Sequence, residues 1–238
     1  MKNWLHYFHP LEKLKRKQKQ FLHNNSVPSL PRRLVRYPSV SIDTPTTQCN
    51  YIVLDFETSG FDVEEDNILS VGWVELKSGK VDLSTATHAY INSESSIKPE
   101  TAVINHITPQ MLLEGVSIDD ALSAFMIAAM GKVIVAHGCI MEKQFLDNYF
   151  VSRYHMAGVP IIWLDTLCLE KRLAKGINQH MDIDLRLAST RERYGLPAYN
   201  SHNALSDAVA TAELLLAQEK RLSSGRTLPF GTLFRLSQ

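Results

Sequence analysis

The segment Tyr51-Ile-Val-Leu-Asp55-Phe-Glu57-Thr-Ser-Gly60 combines an apolar run with two closely spaced acids. Its first four residues are apolar, a pattern typical of a strand buried on both faces. Because strand side chains alternate, Asp55 and Glu57 emerge on one face, where they repel each other unless cations lie between them. Hard oxygen ligands of this kind suit Mg²⁺ or Mn²⁺. The segment predicts a buried strand ending in a candidate cation site, although an isolated pair is more often two solvated acids.

Strands and helices alternate after this segment. Apart from residues 51–55, strands are expected at residues 68–76, 81–91 and 133–136. Helices are expected at residues 117–131, 140–151, 185–194 and 207–221. Ser117 followed by Asp120 resembles a capping box that opens the first of these helices. This order predicts an α/β fold with a mixed central β-sheet flanked by helices.

A second group of polar residues lies in His202-Asn-Ala-Leu-Ser-Asp207. His202 precedes a predicted helix, and Asp207 falls in its first turn. Small residues such as Ala208 and Ala210 allow this helix to pack close to a sheet and bring Asp207 beside Asp55. A histidine there is typical of a general base that takes a proton from water. By itself, an acid at a helix start is also favourable for the helix dipole.

A third acid follows a buried strand in Val133-Ile-Val-Ala-His137-Gly-Cys-Ile-Met-Glu142. Glu142 lies in the first turn or so of the helix predicted after that strand. A lone glutamate at such a position usually has no special role. The three groups therefore indicate a functional site only in combination and through their order along the chain.

This combination closely resembles the DEDDh (DnaQ-like) 3′→5′ exonuclease family. Asp55-Phe-Glu57-Thr-Ser-Gly60 matches the family's first motif, D-x-E-T-T-G or D-x-E-T-S-G, and His202 to Asp207 matches its third, H-x4-D. Further matches lie at residues 103–108, 164–167 and 194–197. The resemblance covers about residues 51–221, and several motifs in family order are much more specific than any one alone.

The second motif departs from the family's commonest pattern, A-H-N-x-x-F-D, in which an aspartate stands five residues after the histidine. Counted from His137, that position holds Glu142. Asp147 is the rival acid, but five further residues along a helix correspond to about 140° of rotation, so it faces elsewhere. We expect Glu142 to replace the usual aspartate as a metal ligand, because the longer side chain still reaches an ion directly or through water.

The resemblance implies a ribonuclease H-like fold and a metal-dependent 3′→5′ exonuclease that releases nucleoside 5′-monophosphates. By this analogy, two divalent cations, Mg²⁺ or Mn²⁺, are held by Asp55, Glu57, Glu142 and Asp207. His202 is expected to take the proton of the attacking water. These four acids and His202 are the expected catalytic residues.

The residues expected to bind substrate lie in two loops. Thr58, Ser59 and Gly60 form a polar turn whose backbone can approach the terminal nucleotide closely. Two interpretations of His106 remain open: contact with that nucleotide, or a loop histidine bonded to backbone. Asp165 is expected to be structural.

The expected substrate is the 3′ end of single-stranded DNA, in proofreading or repair trimming, because the match is to sequences that resemble proofreading subunits. The same analogy suggests a DNA polymerase partner. One alternative is an exoribonuclease that processes RNA 3′ ends, since the metal motifs are common to both. Another is a catalytically impaired module that binds nucleic acid or a polymerase, although retention of all the acids and His202 argues against it. The sequence does not indicate an oligomeric state.

The formal net charge of zero hides an asymmetry along the chain. Residues 1–48 carry nine basic and two acidic residues, a charge of +7, and the remaining residues carry −7. We divide the chain into a basic arm at 1–48, an exonuclease domain at 49–222 and a C-terminal tail at 223–238. In the arm, we expect a loosely packed helix before residue 23 and an extended linker over 24–48, which holds four prolines. The alternatives are docking to a partner or to an anionic surface.

Composition excludes other broad classes. Apolar residues make up 45% of the chain and charged residues 21%, as in globular proteins rather than disordered ones. The longest clearly apolar stretch, residues 124–130, is too short for a membrane span, which needs about 20 residues. Cys49, Cys139 and Cys168 are odd in number and far apart, which suits free thiols and a cytoplasmic location.

Overall fold

The computed structural model describes residues 6–36, 40–92, 107–175 and 183–238. The strands are β1 (Asn50–Thr58), β2 (Ile68–Lys77), β3 (Lys80–Tyr90), β4 (Val133–Ala136) and β5 (Trp163–Asp165). The helices are α1 (Pro10–His23), α2 (Ser29–Arg36), α3 (Pro109–Leu113), α4 (Ile118–Ala129), α5 (Ile140–Tyr154), α6 (Thr166–Lys175), α7 (Leu187–Arg193), α8 (Ala204–Ser223) and α9 (Phe230–Leu236). Within these described ranges, no helix combines the length and apolar character needed to cross a membrane.

The five strands form one mixed sheet in the order β3-β2-β1-β4-β5. Strands β1, β2 and β3 pair antiparallel, whereas β4 is parallel to β1 and β5 is parallel to β4. Helices pack on both faces, so the predicted α/β class with a mixed central sheet is confirmed. Because β1 and β4 run in the same direction, the residues that follow them meet at one edge of the sheet.

The alternation of side chains along β1 divides the core into two apolar layers. Ile52 and Leu54 pack on the face covered by α4 and α5. Val53 packs on the opposite face with residues of α8 and α9. Asp55 and Glu57 continue the odd-numbered row, and the strand therefore directs both carboxylates towards the face that carries α8.

The close approach of α8 to the sheet depends on a glycine that is paired with Asp55. Gly72 of β2 lies directly opposite Asp55 in the antiparallel register. A Cβ atom at Gly72 would lie 2.2 Å from backbone atoms of Ala204 and Leu205, so the start of α8 rests on β2 itself. Ala204 and Ala208 are fully buried at this contact. The prediction that small residues let α8 pack close to the sheet is confirmed.

Side-chain caps fix where two of the helices begin. Ser117 accepts the backbone N–H of Asp120 at 3.0 Å, and its hydroxyl donates to the Asp120 carboxylate at 2.7 Å. The predicted cap of α4 is therefore confirmed. Asn203 caps α8 by accepting the backbone N–H of Ser206 at 3.0 Å. These local bonds satisfy donors that a helix start otherwise leaves without partners.

The basic arm is packed into the core, which corrects two expectations. Residues 29–36 of the expected extended linker form α2, because a proline within the first helical turn removes only an N–H that has no partner there. Leu11 of α1 is buried in the layer that contains α8, whereas Leu34 and Val35 of α2 are buried in the opposite layer. The arm is therefore not a loosely packed appendage.

The C-terminal residues also contribute to the core. Residues 223–238 were expected to form a tail, but α9 lies within them and buries Phe230, Leu233 and Phe234 against the layer that contains α8. The division of the chain at residues 48 and 222 stays a prediction about the extent of the catalytic unit.

A buried polar pair joins β1 to α8. The Tyr51 hydroxyl donates to Glu219 Oε1 at 2.8 Å, and both residues are buried. Burial raises the pKa of the Glu219 carboxyl to about 7, and the hydrogen bonds from Tyr51 and Thr46 oppose this rise. The folded protein therefore favours the neutral form of Glu219 over the charged form.

Replacing Gly72 with alanine should destabilise the fold by about 1–3 kcal/mol, because the added methyl group forces α8 away from β2. Chemical denaturation would measure the change. Gly79→Ala is the control, since it adds the same methyl group to open space; any loss there reflects the positive φ of 72° at Gly79, a cost that Gly72 does not carry. A Gly72→Ala variant as stable as the parent would contradict this packing.

Replacing Glu219 with glutamine should stabilise the protein at alkaline pH. The pKa is about 7 in the folded state against a usual 4.5, so the stability that Glu219 contributes is complete below about pH 4.5 and is lost as the pH rises through 7. At pH 8 the free energy of unfolding of the variant should exceed that of the parent by about 2–3 kcal/mol, and at pH 4.5 the two free energies should be equal. Glu65→Gln, at an exposed site, is the control, and a pH-independent difference would contradict the assignment to Glu219.

Candidate active site

Three of the predicted acids lie together where β1 ends and α8 begins. Asp55, Glu57 and Asp207 each place one carboxylate oxygen within 4.8 Å of the others. Strand β1 supplies the first two acids and the first turn of α8 supplies the third. A register shift between Glu57 and Thr58 ends the regular pairing of β1 with β2 at this point. Such irregularities re-aim side chains beside functional sites.

The electrostatics of this cluster disfavour three full negative charges. Burial and the charges of Glu142, Asp207 and Glu57 raise the pKa of Asp55 well above its usual value. Burial and the charge of Asp207 raise the pKa of Glu57 to about 7. Burial also raises the pKa of Asp207. A divalent cation placed among these oxygens would remove the cause of the repulsion.

Glu142, the fourth predicted acid, lies beside the cluster and does not join the group within 4.8 Å. It is buried in the first turn of α5, and its charge contributes to the raised pKa of Asp55. Burial, reinforced by the charge of Asp165, raises the pKa of Glu142 to about 8. Its Oε2 atom has no hydrogen-bond partner within the described residues. A buried oxygen without a partner is unfavourable in the folded chain and is available to a ligand.

The carboxylate of Asp165 fixes the position of α5. It accepts the backbone N–H groups of Gly138 at 2.9 Å and Cys139 at 3.1 Å, directly before α5. It also accepts the N–H of Leu167 at 2.9 Å in the first turn of α6. The expected structural role of Asp165 is confirmed: it ties together the starts of two helices and so orients Glu142.

His202 lies on the loop that enters α8. Its side chain is exposed, and its backbone adopts a left-handed conformation with a φ of 64°. The His202 backbone N–H donates to Asp207 Oδ2 at 2.9 Å, and this bond opposes the rise in the pKa of Asp207. Asp207 therefore both joins the acidic cluster and holds the loop that carries His202.

The turn after β1 is closed by its own polar groups. The Thr58 hydroxyl donates to the Gly60 carbonyl at 2.7 Å, and the Ser59 hydroxyl donates to Asp66 Oδ1 at 2.9 Å. A Cβ atom at Gly60 would lie 2.2 Å from the Asp66 carboxylate, so any larger residue there would force the Asp66 side chain to move. These residues flank the acidic cluster as predicted, but their contact with substrate stays a prediction. His106 lies outside the described residues.

A buried arginine links the His202 loop to α7 and α8. Arg191 pairs with Glu213 of α8 at 2.7 Å and donates to the Pro197 carbonyl at 2.8 Å and to the Ala210 carbonyl. Its guanidinium also lies 4.8 Å from the centre of the Tyr199 ring. A groove of about 460 Å³, lined in part by Arg191, Tyr199 and Asp207, opens beside the cluster.

Sequence reasoning missed Gly72 and Arg191, which position the site without belonging to a motif. Gly72 acts through a backbone contact with a helix about 130 residues later in the chain, and no local pattern reports such a contact. Arg191 lies in a polar helical segment, where a solvated arginine is the ordinary expectation.

The donor set fits divalent cations. The cluster offers carboxylate oxygens only, with a fourth, unpartnered oxygen of Glu142 beside it. Oxygen ligands of this kind are those preferred by Mg²⁺ and Mn²⁺. The pKa values of these acids are raised first by burial and then by neighbouring charges, and cations among the oxygens would offset that second contribution.

Curated relatives of this chain include bacterial DNA polymerase III proteins. The DNA polymerase III PolC-type of Thermotoga petrophila is 30% identical over 178 residues, covering 75% of this chain and 12% of that protein. The DNA polymerase III subunit epsilon of Treponema pallidum is 28% identical, covering 69% of this chain and 74% of that protein. The chain thus spans only a small part of its PolC-type relatives.

Solved structures with the same architecture include exonucleases. Exonuclease X in complex with 5′ overhanging duplex DNA matches with a TM-score of 0.58 and 21% identity, covering 78% of this chain and 99% of that one. E. coli Exonuclease I in complex with a dT13 oligonucleotide matches with a TM-score of 0.60 and 16% identity, covering 75% of this chain and 43% of that one. These likenesses confirm the ribonuclease H-like fold. The family model RNase_T, described as exonuclease, matches residues 52–215, and the chain therefore belongs to this exonuclease family.

Proposed function

We propose that the protein is a metal-dependent 3′→5′ exonuclease that removes nucleoside 5′-monophosphates from the 3′ ends of single-stranded DNA. The observation that carries this proposal is the convergence of the Asp55, Glu57 and Asp207 oxygens within 4.8 Å in a chain of the exonuclease family. The raised pKa of Asp55 supports it, because repulsive charge is retained where a cation would make it useful.

The cations would be held by Asp55, Glu57 and Asp207, with Glu142 contributing its unpartnered oxygen. When bound, two divalent cations lower the pKa of a water molecule and offset negative charge on the phosphate and the leaving oxygen. Asp55 would be a ligand of these cations, because its carboxylate lies within 4.8 Å of those of Glu57 and Asp207 and its pKa responds to the charge of Glu142.

His202 takes the proton of the attacking water in this proposal. Its exposed side chain lies on a loop fixed to Asp207 through its own backbone N–H, so the imidazole is close to the acidic cluster yet reaches solvent. An imidazole suits this role because its usual pKa lies near neutral pH. The turn at Thr58, Ser59 and Gly60 positions the terminal nucleotide beside the cluster.

DNA is the proposed substrate because several relatives are named as DNA polymerase III proteins, and because Exonuclease X and E. coli Exonuclease I are described in complex with DNA or a dT13 oligonucleotide. A DNA polymerase is the proposed partner on the same ground. RNA 3′-end processing uses the same set of metal ligands and is separated from DNA trimming by the substrate comparison below.

Incubation of the full chain with 5′-labelled single-stranded DNA and Mg²⁺ or Mn²⁺ should shorten the strand from its 3′ end and release 5′-monophosphates. Asp55→Asn should abolish the activity, and His202→Ala should lower kcat by about 10²–10⁴-fold. Asp147→Asn, an acid outside the cluster, is the control and should retain the parent rate. Release of 5′-monophosphates by Asp55→Asn at the parent rate would contradict the proposal. Faster cleavage of a matched RNA strand than of the DNA strand would identify RNA as the substrate.

Replacing Glu142 with glutamine should raise stability without metal and lower the response to metal. Because the folded-state pKa of Glu142 is about 8 against a usual 4.5, the stability that it contributes is lost as the pH rises through 8. At pH 9 in EDTA, the variant should gain on the order of 2 kcal/mol in unfolding free energy. Mn²⁺ should then stabilise the parent more than the variant in thermal unfolding.

Glu142→Asp, which introduces the residue commonest in the family, is the matched control for this change. It should keep both the stabilisation by Mn²⁺ and the nuclease activity, because it retains the charge. Equal stabilisation of the parent and of Glu142→Gln by Mn²⁺ would show that Glu142 is not a ligand.

A further inference from the structure

A groove between the two arm helices concentrates positive charge. This arm groove has a volume of about 380 Å³ and lies between α1 and α2. The apolar residues Leu22 and Val35 line part of it. Its charged lining consists of four basic side chains and one acidic side chain: Lys15, Arg16, Lys19, Arg36 and Glu12. These charged groups leave the groove with a net charge of +3.

Helical periodicity places the charges of α1 on one side. Lys15, Arg16 and Lys19 follow the i, i+1, i+4 spacing that shares one face of a helix, and they face Arg36 of α2 across the groove. Glu12 pairs with Lys15 at 3.4 Å, but both side chains are partly exposed, and solvent screens such a pair so that it contributes little. A stronger anion can therefore displace Glu12 from Lys15 at little cost.

Exposed aromatic rings lie next to this charge. The Arg16 guanidinium lies 4.1 Å from the centre of the Tyr7 ring and donates to the Tyr7 carbonyl at 2.9 Å. The Tyr7 and Phe8 rings meet edge to face at 5.4 Å, and each residue is more than half exposed. Basic grooves bordered by aromatic rings are typical of surfaces that bind single-stranded nucleic acids, in which cations contact phosphates and rings stack on bases.

The arm groove is a fixed feature of the fold. Leu11 and the pair Leu34 and Val35 anchor its two helices in opposite apolar layers of the core. Gln18 is buried and donates to the Pro160 carbonyl at 3.0 Å, beside the start of β5. The basic groups are therefore carried by helices that are already in place, so binding a strand does not require the arm to fold first.

We propose that the arm groove binds the sugar-phosphate backbone of single-stranded nucleic acid, with Tyr7 stacking on a base. This inference rests on the proposed function, because it assigns the groove to the part of the strand remote from the 3′ end that is cleaved. Charge complementarity favours this occupant: the rest of the chain is acidic, and the groove offers a polyanion a net positive surface.

Salt dependence of binding tests the proposal. Affinity for a labelled single strand of about 20 nucleotides would be measured by fluorescence anisotropy in EDTA, from about 50 to 300 mM salt. Replacing Lys15, Lys19 and Arg36 together with glutamine should weaken binding about 10-fold or more at the lowest salt and reduce the slope of log affinity against log salt by about 2. Tyr7→Ala should weaken binding while leaving the slope unchanged, as expected for stacking.

The matched control removes three exposed basic groups elsewhere, by replacing Lys77, Lys80 and Arg226 with glutamine. This control should leave the slope close to that of the parent. An equal fall in slope for the control and groove variants would overturn the proposal, because general charge would then explain binding. Equal slopes for the parent and the groove variant would overturn it as well.

Two further measurements separate this inference from the proposed function and from a lipid surface. The p-nitrophenyl ester of thymidine 5′-monophosphate reports on the acidic cluster alone, and the groove variant should hydrolyse it at the parent rate with Mn²⁺. Failure of the parent to hydrolyse it would count against the proposed nuclease, whereas the binding slope tests the groove independently. Groove-dependent binding to phosphatidylglycerol vesicles, with unchanged DNA binding, would assign the groove to anionic lipid and overturn the proposal.

Discussion

Repulsion among carboxylates that meet where β1 and β4 end is the constraint on which the rest of the structure depends. Burial and three neighbouring acids raise the pKa of Asp55, and Glu142 is buried beside it with an unpartnered oxygen. Burying a carboxylate costs desolvation free energy, and the contacts that these carboxylates make in the folded chain do not offset that cost. The two apolar layers on either side of the sheet must therefore supply the stability, and either protonation or a bound cation would relieve the repulsion within the cluster.

Holding repelling groups together requires anchors outside the cluster, and each of the two acids carried by helices, Asp207 and Glu142, has one. Gly72 lets α8 rest on β2, which brings Asp207 to Asp55. Asp165 collects backbone N–H groups at the starts of α5 and α6 and so fixes the helix that carries Glu142. These anchors act through the backbone or through buried hydrogen bonds. The acids can therefore repel one another without the helices moving apart.

Local patterns predicted the parts of the structure that local forces determine. The alternation in β1 and the cap at Ser117 are short-range effects, and both predictions are confirmed. Asp55 and Asp207 could be expected near each other because small residues in α8 permit close packing. Gly72 could not be found in this way, since its role is a contact between distant segments. The prolines of residues 24–48 predict extended chain, but Ser29–Arg36 forms a helix whose one proline, Pro31, lies in the first turn, where proline is tolerated.

The packed basic arm places the positive charge of the chain at a fixed position on the fold. An acidic cluster repels a polyanion until cations occupy it, so the acidic part of the chain cannot by itself attract a nucleic acid over long distances. The arm carries positive charge, which attracts a polyanion. Its two helices are anchored by Leu11, Leu34 and Val35, which belong to the two core layers. Unfolding the arm would expose these apolar side chains, at about 1.5–3 kcal/mol for each. The same packing that stabilises the fold thus holds the positive charge at a constant position relative to the cluster, which a disordered basic tail would not do.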